Sequence, residues 1–436
     1  MHKRTHFFIL TAIAVLNTLL PAISPAQAKE QSITDEAQRL FQDNQRSVYQ
    51  IRVIDLATGK KSSIGSGFQF SPDGHLATNY HVLCLAIHYP QRFRLEYAAF
   101  DGSSGPVKIL DVDIIRDIGI VKKEGGPAEY LELGKSDLLK GTKIFSMGNP
   151  YDLGMSIIEG TYNGLMEKSL YRKILFSGSI NPGMSGGPAI DHEGRVIGVN
   201  VATAGNEVSF LVPVEPLKDL YTKMLENQPE GMEGIADFNK RIEQQLMANQ
   251  DDYISKILDV PWESIPMGEA YVPGDIANAF KCWGESKDEE DKLYNYAFVN
   301  CSSEDKIFVS PTLSTGQIIY KYNWMTSKGL NPIRFYNLYQ SSFATTEEYT
   351  NATEEDTKNF NCTEGFVNID HAVFKTHLCA RAYKKFPKLF DINLSLASVH
   401  LKDRGLMAEV IALGLSQEKA KELVKKFMES MKWPKP

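Results

Sequence analysis

Residues 181–190 read NPGMSGGPAI, and their reading decides how the rest of the chain is understood. One hydroxyl, Ser185, stands among Gly183, Gly186 and Gly187, with Pro182 and Pro188 bracketing the run. Glycine and proline punctuate turns, and a serine in a turn is common. The same composition also suits a strained turn that presents one hydroxyl and aims backbone N–H groups at a negative charge developing beside it. The surrounding chain has to choose between the two.

Around this stretch, from Ser47 to Val214, short apolar runs alternate with turn residues. SVYQIRVIDL, SGFQF, HLATN, VKILDVDII, IGIVKK, KIFSMGN, KILFSGSI, RVIGVNVA and VSFLVPV are rich in Val, Ile and Phe and bounded by Gly, Pro, Asp and Asn. Many short strands at this spacing predict an all-β barrel or sandwich. TDEAQRLFQDNQ before the region and PVEPLKDLYTKMLEN after it read as helices.

Acyl transfer by serine needs a base, a group that orients the base, and donors for the oxyanion. His81 follows a strand-like run in GSGFQFSPDGHLATNYHVL, where a loop can expose its ring. Asp117 heads the apolar IGIV, which favours it over Asp111 and Asp113 upstream. Ser185 is the nucleophile candidate, and the N–H groups of Gly183 and Ser185 are the oxyanion donors. The chain order is His, Asp, Ser, as in the chymotrypsin type.

GSGF…TNYHVL, RDIGIV, GNPYDLG, INPGMSGGPAID, GRVIGVN and SFLVPV occur in order between about Phe41 and Leu225. Together they resemble the HtrA/Deg branch of trypsin-like serine proteases. The resemblance covers under half of the chain and implies a pair of six-stranded β-barrels with the site in the cleft between them. It also implies that Ser179, six residues before the nucleophile, lines the floor of the S1 pocket, with GVNVATAG as a wall. Glutamyl-specific relatives have a histidine where Asn200 falls, so Ser179 and Asn200 imply an uncharged, small-to-medium P1 residue. Two departures stand out. Met184 replaces the usual Asn or Asp before the nucleophile, and no PDZ signature follows Leu225, so PDZ-controlled activation and cage assembly are not carried over.

A rival arrangement shares His81. His81, Cys84 and His88 have a spacing that places three metal ligands on one helical face. The protease pattern explains far more of the neighbouring residues, so no metal or other cofactor is expected, and Cys84 reads as a buried free thiol.

The 436 residues call for more than one domain. MHKR, the apolar FFILTAIAVLNTLL and PAISPAQA form a signal-peptide pattern over residues 1–28, which predicts a periplasmic or secreted mature chain without stable membrane insertion. Removing Lys3 and Arg4 makes the formal charge of −7 more acidic still, which argues against nucleic-acid binding. Export permits disulfides. Cys282, Cys301, Cys362 and Cys379 cluster late in the chain, and of their three possible pairings the sequential one, Cys282–Cys301 and Cys362–Cys379, is expected. The NAT, NCT and NCS triplets match glycosylation acceptors by chance in a chain of bacterial type.

The reading is therefore an all-β, trypsin-like double β-barrel protease domain over residues 29–227, a helical linker over 228–258, and an α+β domain over 259–436. The last contains the aromatic, alternating runs QIIYKYNW, PIRFYNLYQ and HAVFKTHLCARAY. It ends in a helix with Ser416 as N-cap and Ala420, Val424, Phe427, Met428 and Met431 on its apolar face. The expected activity is that of a serine endopeptidase acting on proteins or peptides, with the oligomeric state left open. The alternative is a catalytically silent barrel scaffold that binds partners through its C-terminal half.

Overall fold

The computed structural model describes residues 33–125, 129–203, 208–227, 231–232, 234–288, 290, 292–343 and 352–435. The signal-peptide pattern of residues 1–28 and the 204–205 end of GVNVATAG lie outside them. Helix α1 (Ile33–Asn44) leads into β1 (Val48–Asp55), β2 (Lys61–Gln69) and β3 (His75–Thr78). Helix α2 (Tyr80–His88) follows, then β4 (Phe93–Ala98), β5 (Ser104–Asp113) and β6 (Ile118–Lys123). These six strands close into a barrel in the order β1-β2-β3-β6-β5-β4. A second closed barrel comprises β7 (Lys143–Gly148), β8 (Ser156–Leu165), β9 (Ile174–Phe176), β10 (Pro188–Ile190), β11 (Val196–Thr203) and β12 (Ser209–Pro213). Helix α3 (Glu215–Asn227) ends this region.

Side-chain alternation along β1 joins the two barrels. Tyr49, Ile51 and Val53 enter one apolar core, while Val48 enters another that also holds Phe145, Met147 and Val199 of the second barrel. A strand buried on both faces reads as a near-continuous apolar run, as VYQIRVI does.

Helix α4 (Gly234–Leu258) occupies most of the segment expected as a helical linker. Phe238, Ile242 and Leu246, four residues apart, pack into the core of the first barrel. Tyr253, Ile254 and Ile257, farther along, pack into the C-terminal half. One helix is thereby shared by two cores. Each such side chain contributes roughly 1.5–3 kcal/mol by burial, which makes α4 a brace.

Beyond α4 come β13 (Ser264–Met267), β14 (Ala270–Pro273), β15 (Phe280–Lys287) and β16 (Tyr294–Ser303). A small hairpin, β17 (Ile307–Ser310) and β18 (Leu313–Thr315), precedes β19 (Ile318–Ser327) and α5 (Pro332–Phe343). The chain ends with β20 (Asn361–Ile369), β21 (Ala372–Ala382), β22 (Phe390–Ser398), β23 (Arg404–Leu415) and α6 (Gln417–Glu429). Seven of these strands form one antiparallel sheet in the order β15-β16-β19-β23-β22-β21-β20. Leu406, Ala408, Val410 and Ala412 alternate along β23 into the core beneath α6, and Met407, Ile411 and Leu413 face the other side.

The alternation read in PIRFYNLYQ is not a strand. Pro332 opens α5, the Asn331 side chain accepts the Arg334 N–H at 2.9 Å, and Phe335 stacks on Tyr339 one turn later. Aromatics at i and i+4 fit a helix face, and proline at the first helical position suits a helix start. Ser416 caps α6 as expected by accepting the Lys419 N–H. The buried face of α6 is Ala420, Leu423 and Phe427, with Val424 and Met428 at its margin.

Cys282 lies directly opposite Cys301, and Cys362 opposite Cys379, at disulfide distance. Each pair joins an edge strand of the sheet to its neighbour. Cys84 is buried and free. Among the described residues, no helix is long and apolar enough to cross a membrane.

Candidate active site

The site begins with the junction of β3 and α2. The Asn79 side chain donates to the Asp117 carbonyl at 2.8 Å, which fastens the start of α2 to the loop before β6. Asp117 occupies the left-handed backbone region, with φ of 57°. Aspartate tolerates that region better than most residues, and strained backbone of this kind gathers at functional sites. The conformation turns its carboxylate back onto α2. One oxygen accepts the His81 backbone N–H at 2.8 Å and the other meets His81 Nδ1 at 2.6 Å. Both oxygens are thus committed to one residue, and the imidazole orientation is set.

The electrostatics oppose each other. Burial disfavours the charged imidazolium, but the charge and hydrogen bond of Asp117 outweigh it, so the His81 pKa lies above its ordinary 6.5. The His81 side chain keeps 31% of its surface exposed, so the ring remains reachable from solvent.

The turn of residues 181–187 is built from both barrels. Gly183 and Gly186 have φ of 97° and 87°, which L side chains rarely adopt. Space excludes side chains there as well. A Cβ on Gly183 would sit 2.4 Å from the Asn149 carbonyl oxygen. One on Gly186 would sit 2.3 Å from Thr78 Oγ1 and 2.9 Å from the Asn79 backbone nitrogen. The turn therefore abuts the residues that lead into His81, and the fold brings the Ser185 and His81 segments together. Met184 N–H donates to the Asn181 carbonyl and Gly187 N–H to the Met184 carbonyl, whereas the N–H groups of Gly183 and Ser185 donate to no partner among the described residues. Ser185 Oγ donates to the Val201 carbonyl at 3.1 Å.

One residue that sequence reasoning did not single out holds this turn. Ser66 is fully buried in β2; its N–H donates to the Ser185 carbonyl at 2.7 Å and its Oγ to the Gly183 carbonyl at 2.7 Å. Its Oγ also accepts the Asn149 N–H at 2.9 Å. Flanking Gly65 and Gly67 were the available signal, since they permit close backbone approach. Met184, noted as a departure, is wholly buried in an apolar cluster with Ile144, Phe176, Ile180 and Leu211. It serves as a plug beneath the turn.

The expected pocket residues separate. Ser179 is exposed just after β9. Asn200 is not a pocket wall in this structure, because it is fully buried and its amide is spent on structure. Its Oδ1 accepts Ser146 Oγ at 2.9 Å, and its Nδ2 donates to the Met147 and Met184 carbonyls at 3.0 and 3.3 Å. Asn200 supports the turn from below.

The rival metal arrangement is not assembled. His81 Nδ1 faces Asp117, while His88 Nε2 lies 3.0 Å from the Val309 carbonyl and 2.9 Å from Tyr80 Oη. Burial, then the Lys385 charge, pushes the His88 pKa down to about 4, and burial pushes the Cys84 thiol up to about 12. Among the described residues, the one cluster with ligand-like proximity is Cys362, His377 and Cys379, and its two sulfurs are paired with each other.

Residues 65–199 match the family model described as a trypsin-like peptidase domain. "Protease Do-like 1, chloroplastic" of Arabidopsis thaliana is 29% identical over 255 residues, which is 50% of this chain and 56% of that protein. "Protease Do-like 5, chloroplastic" of the same plant is 33% identical over 40% of this chain and 65% of its own length. The "Probable periplasmic serine endoprotease DegP-like" of Chlamydia pneumoniae is 30% identical over 35% of this chain and 31% of its length. The chain thus spans between about a third and two thirds of the length of these relatives. Closed twin barrels, a partly buried and strained aspartate on a histidine at the start of α2, and a glycine-bound serine turn coincide with that match: the double-barrel part of this chain is a trypsin-like peptidase domain of the HtrA/Deg-like branch.

Proposed function

We propose that the chain is an exported serine endopeptidase that hydrolyses peptide bonds through an acyl-enzyme. The observation that carries this is the 2.6 Å contact between His81 Nδ1 and an Asp117 carboxylate whose other oxygen holds the same residue's backbone. With its proton on Nδ1, His81 has a lone pair on Nε2 and acts as the base. Ser185 Oγ leaves the Val201 carbonyl by rotation about χ1, gives its proton to Nε2 and attacks the substrate carbonyl carbon. The oxyanion forms beside the N–H groups of Gly183 and Ser185. Protonated His81 then passes the proton to the leaving amine, and water repeats the sequence to release the acid.

Export is supported by the residue 1–28 pattern and by the periplasmic description of the Chlamydia relative. Ser179 and Val201 offer no charge to a P1 side chain, so an uncharged P1 residue is favoured, because an unpaired charge would lose several kcal/mol on burial.

The test is covalent labelling of the mature chain by a fluorophosphonate. Labelling is expected at Ser185 and should vanish in Ser185→Ala. Equal labelling of Ser185→Ala would place the nucleophile elsewhere, and no labelling between about pH 6 and 9, where a histidine can act as base, would remove the enzyme reading.

A further inference from the structure

The C-terminal half reaches His81 through one short hairpin. Along β17, Ile307 and Val309 are 3% and 1% exposed and enter the core shared with α2 and α4. Phe308, between them, is only partly buried and packs at the margin of the same core. Its ring centroid stands 6.2 Å from the His81 imidazole at an interplanar angle of 80°, and 6.4 Å from the Tyr80 ring. This edge-to-face geometry is a favourable aromatic arrangement.

The hairpin is fastened to both barrels. The Val309 carbonyl accepts from Tyr80 Oη at 2.6 Å and lies 3.0 Å from His88 Nε2, both on α2. At its root, buried Asp305 accepts Ser169 Oγ, the Leu170 N–H and Lys173 Nζ from the β8–β9 connection. A segment tied at two places holds Phe308 in a set position against His81.

We infer that Phe308 is a specificity-determining residue: it forms one wall of an apolar subsite for the substrate side chain beside the scissile bond. The inference rests on the peptidase reading, in which the His81 ring stands against that bond. A partly exposed aromatic ring in contact with the base lies within reach of the neighbouring substrate residue and offers it an apolar surface. The substrate class is therefore a polypeptide with a bulky apolar residue next to the cleavage point, and the C-terminal half contributes to the cleft.

The test compares kcat/KM for matched peptides carrying Leu or Gly at P2, and likewise at P1′, using the mature full chain. The unchanged protein should prefer Leu at one of these positions by about tenfold or more. Phe308→Ala should bring that ratio to within about twofold, because a contact worth about one methylene, roughly tenfold or more, is lost. Phe308→Trp, which fills space and also reports on folding, should move the preference from Leu toward Ala. A merely structural role would lower all substrates by one factor and leave the ratio unchanged, and either that result or a ratio unaltered in both variants overturns the inference. Fluorophosphonate labelling of the unchanged protein separates the two readings: no labelling defeats the peptidase, whereas labelling without a Leu preference defeats the subsite alone.

Discussion

Asp305 of the C-terminal half and Lys173 of the second barrel are paired at 2.7 Å, and the carboxylate is 1% exposed. The same carboxylate takes the Leu170 N–H and Ser169 Oγ. A buried charge is tolerable only with such partners, and removing it strands them. Asp305→Ala should destabilise the protein by about 3 kcal/mol, toward the low end for a broken buried pair because Lys173 is 29% exposed. Urea unfolding measures this, and a change below about 0.5 kcal/mol, the range of an ordinary surface substitution, would mean that the two halves are not joined there.

With His81 as the proposed base, the acid limb of the pH profile should follow its titration. Its pKa is raised above 6.5, so the neutral base becomes available only as pH rises through that higher value. The stability contributed by the His81–Asp117 pair has the opposite sense: it is complete below pH 6.5 and is lost as pH rises through the folded-state pKa. Asp117→Asn removes the raising charge and leaves burial to act alone. Turnover should fall by about four orders of magnitude, and the His81 titration seen by NMR should move to lower pH. An unmoved titration would show that Asp117 does not set it.

Gly183 should accept no side chain. Its φ of 97° and the 2.4 Å approach to the Asn149 carbonyl both oppose a Cβ. Gly183→Ala is expected to lower kcat by about 100- to 1000-fold, the usual loss for one oxyanion donor. Ser185→Ala and His81→Ala should each remove nearly all turnover, and the double variant should be no worse than either, since the two act as a unit. Additive losses in the double variant would contradict that coupling.

The paired cysteines staple the outer strands of the seven-stranded sheet and none of the barrel strands. Non-reducing peptide mapping should recover Cys282 with Cys301, Cys362 with Cys379, and Cys84 alone. Replacing either pair with serines should cost roughly 2–5 kcal/mol and increase hydrogen exchange in β15 or β20 before the barrels respond. A fragment linking Cys84 to any of the four would refute the partition.

Local chemistry was legible along the chain. The glycines around Ser185 announce positive-φ turns, apolar alternation announces β1 and β6, and Ser416 announces the start of α6. Strands β4, β8 and β10 were not legible as strands. FRLEYA carries two charges, SIIEGTYNGL holds two glycines, and PAI is three residues inside a turn motif. Their pairing partners supply the hydrogen bonds that their own composition does not advertise.

What the amino-acid sequence offered by itself was the set of candidate groups, His81, Asp117 and Ser185, and an all-β reading of the strands around them, with the twin-barrel class implied by the family resemblance of its motifs. Only the tertiary structure decided that Asn200 is a buried support, that α4 is shared by two cores, and that Asp305 and Phe308 reach the peptidase domain. The reason is distance along the chain. Phe308 and His81 are separated by more than half of the chain, and Asp305 stands far from Lys173. Local pattern specifies which backbone a segment adopts and which face is apolar, whereas burial, charge pairing and ring contact depend on what packing later places opposite that face.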